Sequence, residues 1–228
     1  MKNSILFLMM IFLSLQGFAQ GKNSFFSVNT GVAIPLGNFK AQRVTNGSFA
    51  LPGIHISAEG AWYLREHFGI GAEIGMELNP IDASSLAKAT LKSDPFLTNL
   101  TIRAEAFQVT HGGLGLFTHW EIYHNLSVTA KVLGGMIWGK TPYQLYKPTY
   151  YGAGPDYYEI TSSKDHEYFV EPGLGLQYKF NSSVGLQIIS EYISRKMGYG
   201  FINTDGSYKV ENKQVDIINA LAGLVIYL

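Results

Sequence analysis

The chain has 228 residues, of which 46% are hydrophobic, 15% charged and 14% aromatic, with 25 glycines, a composition typical of one domain rich in β-strand. Lys and Arg together number 17, as do Asp and Glu, so no net charge favours nucleic acid as a partner. Because cysteine is absent, disulfides, thiol nucleophiles, cysteine-based zinc sites and an amino-terminal lipoprotein anchor are all excluded.

The amino terminus predicts a cleavable secretory signal peptide over residues 1–19, with a mature chain that begins at Gln20. A lysine near the start precedes an apolar run at 5–15, and Gly17-Phe18-Ala19 forms a small-x-small cleavage site. A helical membrane anchor is disfavoured because the run has 11 residues, whereas a spanning helix needs about 20. We therefore expect an exported chain with a single domain over 20–228.

Eight downstream segments show the alternation of apolar and polar residues that predicts β-strands. Each segment is long enough to cross a bilayer at a tilt, which takes about 9–11 residues. Long and short connections alternate, as in an up-and-down barrel with its long loops at one end and its short turns at the other. The predicted strands are 25–36, 53–64, 68–79, 105–122, 126–138, 166–180, 184–196 and 214–228, with short turns at 65–67, 123–125 and 181–183.

The alternation also separates two faces. In the second strand Ile54 and Trp62 lie on one face, and His55 and Glu59 lie on the other. In a soluble sandwich the apolar face would cover a protein core, whereas in a membrane barrel it meets lipid and the charges point inward. The nearly charge-free face and the loop pattern favour the barrel.

Two strands depart from simple alternation. In the fourth, Phe107 and Val109 have the opposite parity to Leu114 and Leu116, which predicts a β-bulge at Gly112-Gly113. The last strand is apolar on both parities. Alternation therefore assigns faces in most strands and leaves the last one unoriented.

Aromatic residues concentrate at the predicted strand ends. Trp138 and Tyr192 lie toward the long loops, and a larger group lies toward the short turns. Two such belts are what the interfaces of a bilayer select, whereas a soluble sandwich would place its aromatic residues in the core. The short-turn belt comprises Phe25, Phe26, Trp62, Phe68, Trp120, Tyr178, Phe180 and Tyr227.

The segment FFSVNTGVAIPLGNF, residues 25–39, followed by seven further alternating segments, resembles the opening of OmpA/OmpX-like outer-membrane barrel proteins of the Bacteroidetes. This resemblance implies an all-β fold, an eight-stranded antiparallel up-and-down transmembrane barrel of the meander type. It also implies a location in the bacterial outer membrane, with membrane lipid and lipopolysaccharide as partners. It carries over no catalytic residues, and the oligomeric state stays open.

The inward face carries charge in mid-strand. An eight-stranded barrel is just wide enough for side chains to fill it, so we predict an ionic network that closes the lumen and forms no conducting channel. Since carboxylates outnumber cations, Arg43 or Arg103, water or a protonated glutamate would complete the balance. The predicted members are Glu59, Glu73, Glu77, Glu121, Lys131, Glu171, Lys179, Glu191 and Arg195, with His55 and His119 nearby.

His55, Ser57 and Glu59 share one strand face, so a Ser-His-acid relay is conceivable. The His-x-Ser pattern resembles an element of outer-membrane lipid A deacylases, which are also eight-stranded barrels. Those enzymes need the set to face lipid, whereas the parity here places it inside. We therefore expect no catalytic residues, with a lipid A-modifying enzyme as the alternative and a soluble secreted barrel for a small apolar ligand as the third interpretation.

The long loops are the candidate ligand-binding surface. The loop 139–165 is rich in tyrosine, which suits binding loops, although its lower tyrosines could instead extend the interfacial belt. The loop 80–104 is predicted to hold a short helix over 86–91 that Asp82 or Ser84 caps. Neither loop has metal-ligand spacing, so we expect no metal and no cofactor. We predict a scaffold with four surface loops for envelope integrity, adhesion or binding of an extracellular ligand through Tyr143, Tyr146, Tyr150, Tyr151, Tyr157 and Tyr158.

Overall fold

The computed structural model describes residues 24–202 and 207–228. The predicted signal peptide and its cleavage site lie outside the described residues. No helix in the described ranges is long and apolar enough to cross a membrane.

Eight antiparallel strands form a closed ring. Each strand of the ring pairs with the ring strands before and after it along the chain, and the first pairs with the last, Phe25 opposite Tyr227. The predicted eight-stranded up-and-down barrel is therefore confirmed. The ring strands are β1 (Phe25–Pro35), β2 (Gly53–Tyr63), β3 (Phe68–Asn79), β5 (Phe107–Tyr123), β6 (Leu126–Lys140), β9 (Lys164–Lys179), β10 (Val184–Ile202) and β11 (Tyr208–Tyr227).

The long connections build structure of their own above the barrel. A second sheet, here called the outer sheet, has the order β4 (Leu97–Ala104), β7 (Gln144–Tyr150) and β8 (Tyr158–Ile160). It packs with a loop helix, Ala83–Ser93, around a small apolar core. A one-turn helix, Gly37–Lys40, follows β1.

The loop helix is capped by Asp82, one of the two predicted residues, and extends beyond the predicted 86–91 at both ends. The Asp82 carboxylate accepts a hydrogen bond from the Ser85 backbone N–H at 2.9 Å, which satisfies one of the free amides at the helix start. The other Asp82 oxygen accepts from Gln42 Nε2 at 3.0 Å. The helix cap therefore also joins the first long loop to the second.

Every buried residue of the eight ring strands has an odd number, so one parity faces inward throughout. In β5 this parity runs without a break from Phe107 to His119, and the pairing with β3 is continuous. The predicted bulge at Gly112-Gly113 is therefore wrong. Phe107 and Val109 are apolar yet face inward, because the upper interior is itself apolar.

The interior has three layers between the long-loop end, here called the upper end, and the short-turn end. A lower apolar cluster includes Phe25, Phe117 and Tyr227, and an upper one includes Phe107 and Phe169. Buried polar and charged side chains fill the layer between them. Phe25 and Tyr227, which the sequence placed in the interfacial belt, thus belong to the interior.

The outer surface of the ring is apolar. Ile74 on β3, Leu114 on β5 and Leu174 on β9 are 63%, 71% and 67% exposed. In β11, Leu221 and Val225 face inward while Leu224 and Ile226 face outward, which orients the strand that the sequence left open. The exposed aromatic residues of the two predicted belts are Phe26, Trp62, Phe68, Trp120, Tyr178 and Phe180 near the short turns, and Trp138 and Tyr192 farther up.

Candidate functional site

The centre of the polar layer is a lysine cluster made of Lys131, Glu59, Glu73 and Glu191. Lys131 Nζ donates to Glu59 Oε2 at 2.6 Å, to Glu191 Oε1 at 2.7 Å and also to Glu73 Oε2. All four side chains are buried. A Cβ on Gly173 would stand 2.9 Å from Lys131 Cε, so this glycine leaves room for the ammonium group to reach three strands.

Amide and hydroxyl groups surround the lysine cluster on its lower side. Gln187 Nε2 donates to Glu59 Oε1 at 2.8 Å and lies 2.7 Å from Ser27 Oγ and 2.6 Å from Asn29 Oδ1. Gln177 Nε2 donates to Gln187 Oε1 at 2.9 Å. A carboxylate that accepts both a charged and a neutral donor is held in one position, so the lower half of the polar layer is a fixed network.

A histidine cluster adjoins the lysine cluster and consists of His55, His111, Glu77 and Glu171 together with the shared Glu73. His111 Nε2 lies 3.6 Å from Glu73 Oε1 and 3.6 Å from Glu171 Oε2. His55 Nδ1 lies 3.3 Å from Glu77 Oε1. The two imidazole rings meet edge to face at 5.5 Å, and all five side chains are fully buried.

The nine predicted lumen residues divide between these clusters and other places. The inward parity places all nine on the lumen side, and those that come together also lie at the height of the polar layer. Six lie in the two clusters: Glu59, Glu73, Lys131, Glu191, Glu77 and Glu171.

The other three lie elsewhere. Glu121 is exposed, because it stands at the barrel rim close to the short turn, where the inward parity already meets solvent. Lys179 Nζ lies 4.3 Å above the Tyr227 ring at the lower end. Arg195 is half-buried above Ile193, and no ion pair to a carboxylate forms within the described part of the chain. Arg43 and Arg103, considered as loop partners, are exposed, and no ion pair joins either to the described carboxylates.

The positions of two histidines also differ from the sequence prediction. His119 is buried beside Tyr63 near the short turns, away from both clusters. His111, which the sequence prediction missed, lies in the centre. A bulge at Gly112-Gly113 reverses the facing of β5 upstream of Gly112 and would turn His111 to the outer side. The unbroken spacing of two from Phe107 would have placed it inside.

His55, Ser57 and Glu59 share the inward face, as the spacing predicts, but they engage separate partners. Ser57 Oγ accepts a hydrogen bond from Asn29 Nδ2 at 3.3 Å, His55 faces Glu77, and Glu59 binds Lys131. No hydrogen bond joins Ser57 to His55. The geometry does not form a Ser-His-acid relay, and all three side chains are buried inside the ring.

The candidate binding tyrosines divide into packed and exposed members. Tyr146 is buried and stacks on Tyr158 with ring centres 4.7 Å apart, and its hydroxyl donates to Gln144 Oε1 at 2.7 Å. Burial raises the pKa of both hydroxyls. Tyr143 and Tyr150 are half-buried. These four tyrosines therefore belong largely to the outer sheet itself.

An aromatic tip projects from one end of the outer sheet. Phe96, Tyr151 and Tyr157 are 72%, 84% and 60% exposed. The Tyr151 backbone N–H donates to the Phe96 carbonyl at 3.1 Å, which joins two long loops at this point. Of the six predicted tyrosines, Tyr151 and Tyr157 are the ones most available for contact with a partner.

The sequence matches no protein-family model and no curated protein. The crystal structure of Neisserial surface protein A, NspA, is similar over 90% of this chain and 97% of that chain, with a TM-score of 0.51 and 10% identity. This chain has the fold of the eight-stranded outer-membrane barrels.

Two further barrels align over most of their length. The outer membrane protein AlkL has 16% identity and a TM-score of 0.49, covering 93% of each chain. Ail, the attachment invasion locus protein of Yersinia pestis, has 13% identity and a TM-score of 0.43, covering 89% of this chain and 99% of its own.

Proposed function

We propose that this barrel is an exported, non-enzymatic protein of the bacterial outer membrane that displays the aromatic tip and outer sheet as a surface for adhesion or ligand binding. One observation carries the proposal: the ring is apolar on its outside and ionic on its inside. Ile74, Leu114 and Leu174 face outward at mid-strand, while Lys131 and its carboxylates face inward.

A ring of this kind is unfavourable in water. Burial of apolar surface contributes about 25 cal/mol per Å², and a soluble monomer rarely exposes a continuous apolar patch larger than a few hundred Å². Outward apolar residues occur on every ring strand, including Val28, Ile54, Val132, Ile188 and Leu224. A bilayer covers such a belt, because its hydrocarbon core requires an apolar outer surface on any barrel.

The filled polar layer in the described interior argues against a pore and against a pocket for an apolar ligand. The cavity beside Lys131 and Glu59 has a volume of about 10 Å³, close to that of a single water molecule. It is lined by charged as well as apolar groups. The soluble carrier interpretation needs an apolar space of several hundred Å³, so the filled polar layer argues against it.

Location is tested by fractionation of cells that express the full chain. The protein should sediment with outer membranes, dissolve in detergent only, and migrate faster on unboiled than on boiled gels because the closed barrel resists dodecyl sulfate. Its amino terminus should be Gln20. Recovery as a folded, soluble periplasmic monomer would contradict the membrane proposal.

The enzyme alternative is tested on lipid A. Mass spectra of lipid A from cells that express the wild type, Ser57→Ala and His55→Ala should be identical to those of cells without the protein. Loss of an acyl chain in wild-type cells that is restored by Ser57→Ala would establish a deacylase instead.

The binding surface is tested with whole cells. Replacing Phe96, Tyr151 and Tyr157 together by serine should reduce attachment to immobilised host glycans and matrix proteins without changing barrel assembly. The matched control is Tyr123→Ser, which removes an equally exposed tyrosine at the short-turn end. Equal attachment by the triple variant and the control would remove the tip from the proposal.

A further inference from the structure

The histidine cluster concentrates buried polar atoms that have no hydrogen-bond partner. These atoms are both ring nitrogens of His55 and of His111, Glu73 Oε1, Glu77 Oε2 and both carboxylate oxygens of Glu171. Buried polar groups in proteins almost always have partners, and each exception calls for an explanation. Eight such atoms in one cluster indicate a site built for a bound ion.

The balance of charge in the polar layer also indicates a bound cation. Five glutamates are buried in the ring against one buried lysine. Lys131 pairs with Glu59, Glu73 and Glu191, which leaves Glu77 and Glu171 without a lysine. The basic side chains beside these two glutamates are the imidazoles of His55 and His111. Buried carboxylates are stable when they are paired with a cation or coordinate a metal.

We propose that the barrel interior holds a divalent transition-metal ion of the zinc class, bound by His55, His111 and Glu73, with Glu171 completing the set. One nitrogen of each histidine and one Glu73 oxygen lie within 4.8 Å of one another. Atoms at about 2.0–2.2 Å from a tetrahedral zinc are separated by roughly 3.4 Å. The distance of 3.6 Å from His111 Nε2 to each of the two carboxylate oxygens is close to that value and too long for a hydrogen bond.

Gly75 explains how two imidazoles share this space. A Cβ on Gly75 would stand 2.6 Å from His111 Nε2 and 2.9 Å from His55 Nε2. Both Nε2 atoms therefore converge on the position where any other residue would place its side chain. The glycine opens the place in which the two nitrogens approach a common ion.

Glu77 lies behind both rings, on the Nδ1 side, and forms no hydrogen bond to either ring in this structure. Its Oε1 lies 3.3 Å from His55 Nδ1 and 3.9 Å from His111 Nδ1, on the opposite side of each ring from Nε2. Asn219 Nδ2 donates to the same oxygen at 2.8 Å and holds it in place. A carboxylate behind a histidine is the usual way in which proteins fix the tautomer and direction of a metal-binding imidazole.

The neighbouring group of three glutamates needs no metal, because it already has a cation. Glu59, Glu73 and Glu191 also bring three oxygens together, but Lys131 Nζ lies among them and supplies the cation. Glu73 gives one oxygen to Lys131 and leaves Oε1 on the side of His111. The metal site and the lysine cluster thus share one glutamate and divide the polar layer between them.

The expectation of no metal rested on the loops, whereas these ligands come from β2, β3, β5 and β9. Apolar clusters lie above and below them, and Phe169 packs edge to face on His111 at 5.6 Å. Buried apolar side chains therefore border the site on both sides along the barrel axis. The ion would therefore be captured while the barrel closes and retained afterwards.

The test is refolding of the full mature chain from urea into detergent micelles with and without Zn²⁺, then treatment with excess EDTA and desalting. Metal content is measured by mass spectrometry, and folding by migration on unboiled gels. We expect one zinc per wild-type chain and the same for His119→Gln, whose histidine is buried outside the cluster. His55→Gln and His111→Gln should retain less than one tenth of that amount.

Refolding of the wild type with Co²⁺ provides a second measurement that needs no variant. Bound cobalt should give the visible absorption of a four- or five-coordinate site with nitrogen and oxygen ligands. Folded wild type that retains no zinc and gives no cobalt spectrum would overturn the proposal. Retention of zinc by His111→Gln equal to that of the wild type would overturn it too.

Discussion

Single residues in the polar layer differ in how far the sequence predicts them. Parity alone predicts that Glu59, Glu73 and Glu191 point inward, because a strand has only two faces and the charged residues lie on one of them. It failed for Glu121, since parity gives the direction of a side chain and not its depth in the barrel. His111 required the correct pairing of β5, which an apolar upper interior concealed.

Lys131 is the residue whose loss should matter most. Lys131→Met would leave three buried carboxylates without their cation, and breaking a buried ion pair from one side costs about 3–5 kcal/mol. The measurement is the free energy of unfolding by urea in lipid vesicles, followed by tryptophan fluorescence. Lys179→Met is the control and should cost less than 1 kcal/mol, about the value of an exposed cation–π contact. Equal losses in the two variants would contradict a central role for Lys131.

At the scale of elements, the eight ring strands and the loop helix follow from local pattern, but the outer sheet does not. Its strands β4 and β7 come from different long loops, and their pairing is a long-range contact that no spacing in either loop reveals. The same holds for the upper parts of β10 and β11, which pair up to Ile202 and Tyr208, well beyond the predicted strand ends. In β11 the residues 209–213 carry three charges and one apolar side chain, so no apolar alternation marks this part as a strand.

The cap of the loop helix gives a prediction with a defined pH dependence. Hydrogen bonds from Ser85 lower the pKa of Asp82, so the cap stabilises the helix at every pH above the ordinary pKa of aspartate and loses this effect as pH falls through the lowered value. Asp82→Ala should destabilise the helix by about 1 kcal/mol at neutral pH. Hydrogen exchange of residues 83–93 measures this, with Ser84→Ala as a control that should change little. A variant difference that persists unchanged in strong acid would show that the charge of the cap is unimportant.

The hairpin of β7 and β8 should be separable from the barrel. Replacing residues 143–160 by a short Gly/Ser linker removes the partner of β4 but no ring strand. The barrel should still assemble and shift on unboiled gels, while the segment 97–104 becomes sensitive to added protease on intact cells. Replacing 151–157 alone is the control and should leave β4 protected. Failure of the longer replacement to reach the membrane would mean that the outer sheet is needed for barrel assembly.

For the whole molecule, the alternation of long and short connections was the most informative pattern. It predicts that neighbouring strands are antiparallel and sequential, and the ring closes in that order. Sequence could not predict the three-layered interior, because the upper and lower apolar clusters use the inward parity that elsewhere carries charge. Where both faces of a strand are apolar, as in β11, only the neighbours decide which face turns inward.

Contact between lipid and the outer face of the ring can be tested with one substitution. Ile74→Lys places a charge on the outer face at mid-strand, where a lipid-facing lysine costs about 2–4 kcal/mol. Val210→Lys is the control, because Val210 is 50% exposed on the part of β11 above the predicted strand. The free energy of unfolding in vesicles should fall for Ile74→Lys and stay unchanged for Val210→Lys. Equal stability of the two variants would indicate that water, and not lipid, contacts the belt.

The uniform odd numbering of the inward positions has a consequence for insertions and deletions of single codons. One residue added at the start of β2, before His55, would turn every later side chain of that strand to the other face, so that His55 and Glu59 would point outward and Trp62 into the lumen. The same insertion at 152–156, between β7 and β8, changes no strand. A library of one-codon insertions should therefore be tolerated in the loops and rejected within the eight ring strands, and the borders of tolerance would map where the fixed parity begins and ends on each strand.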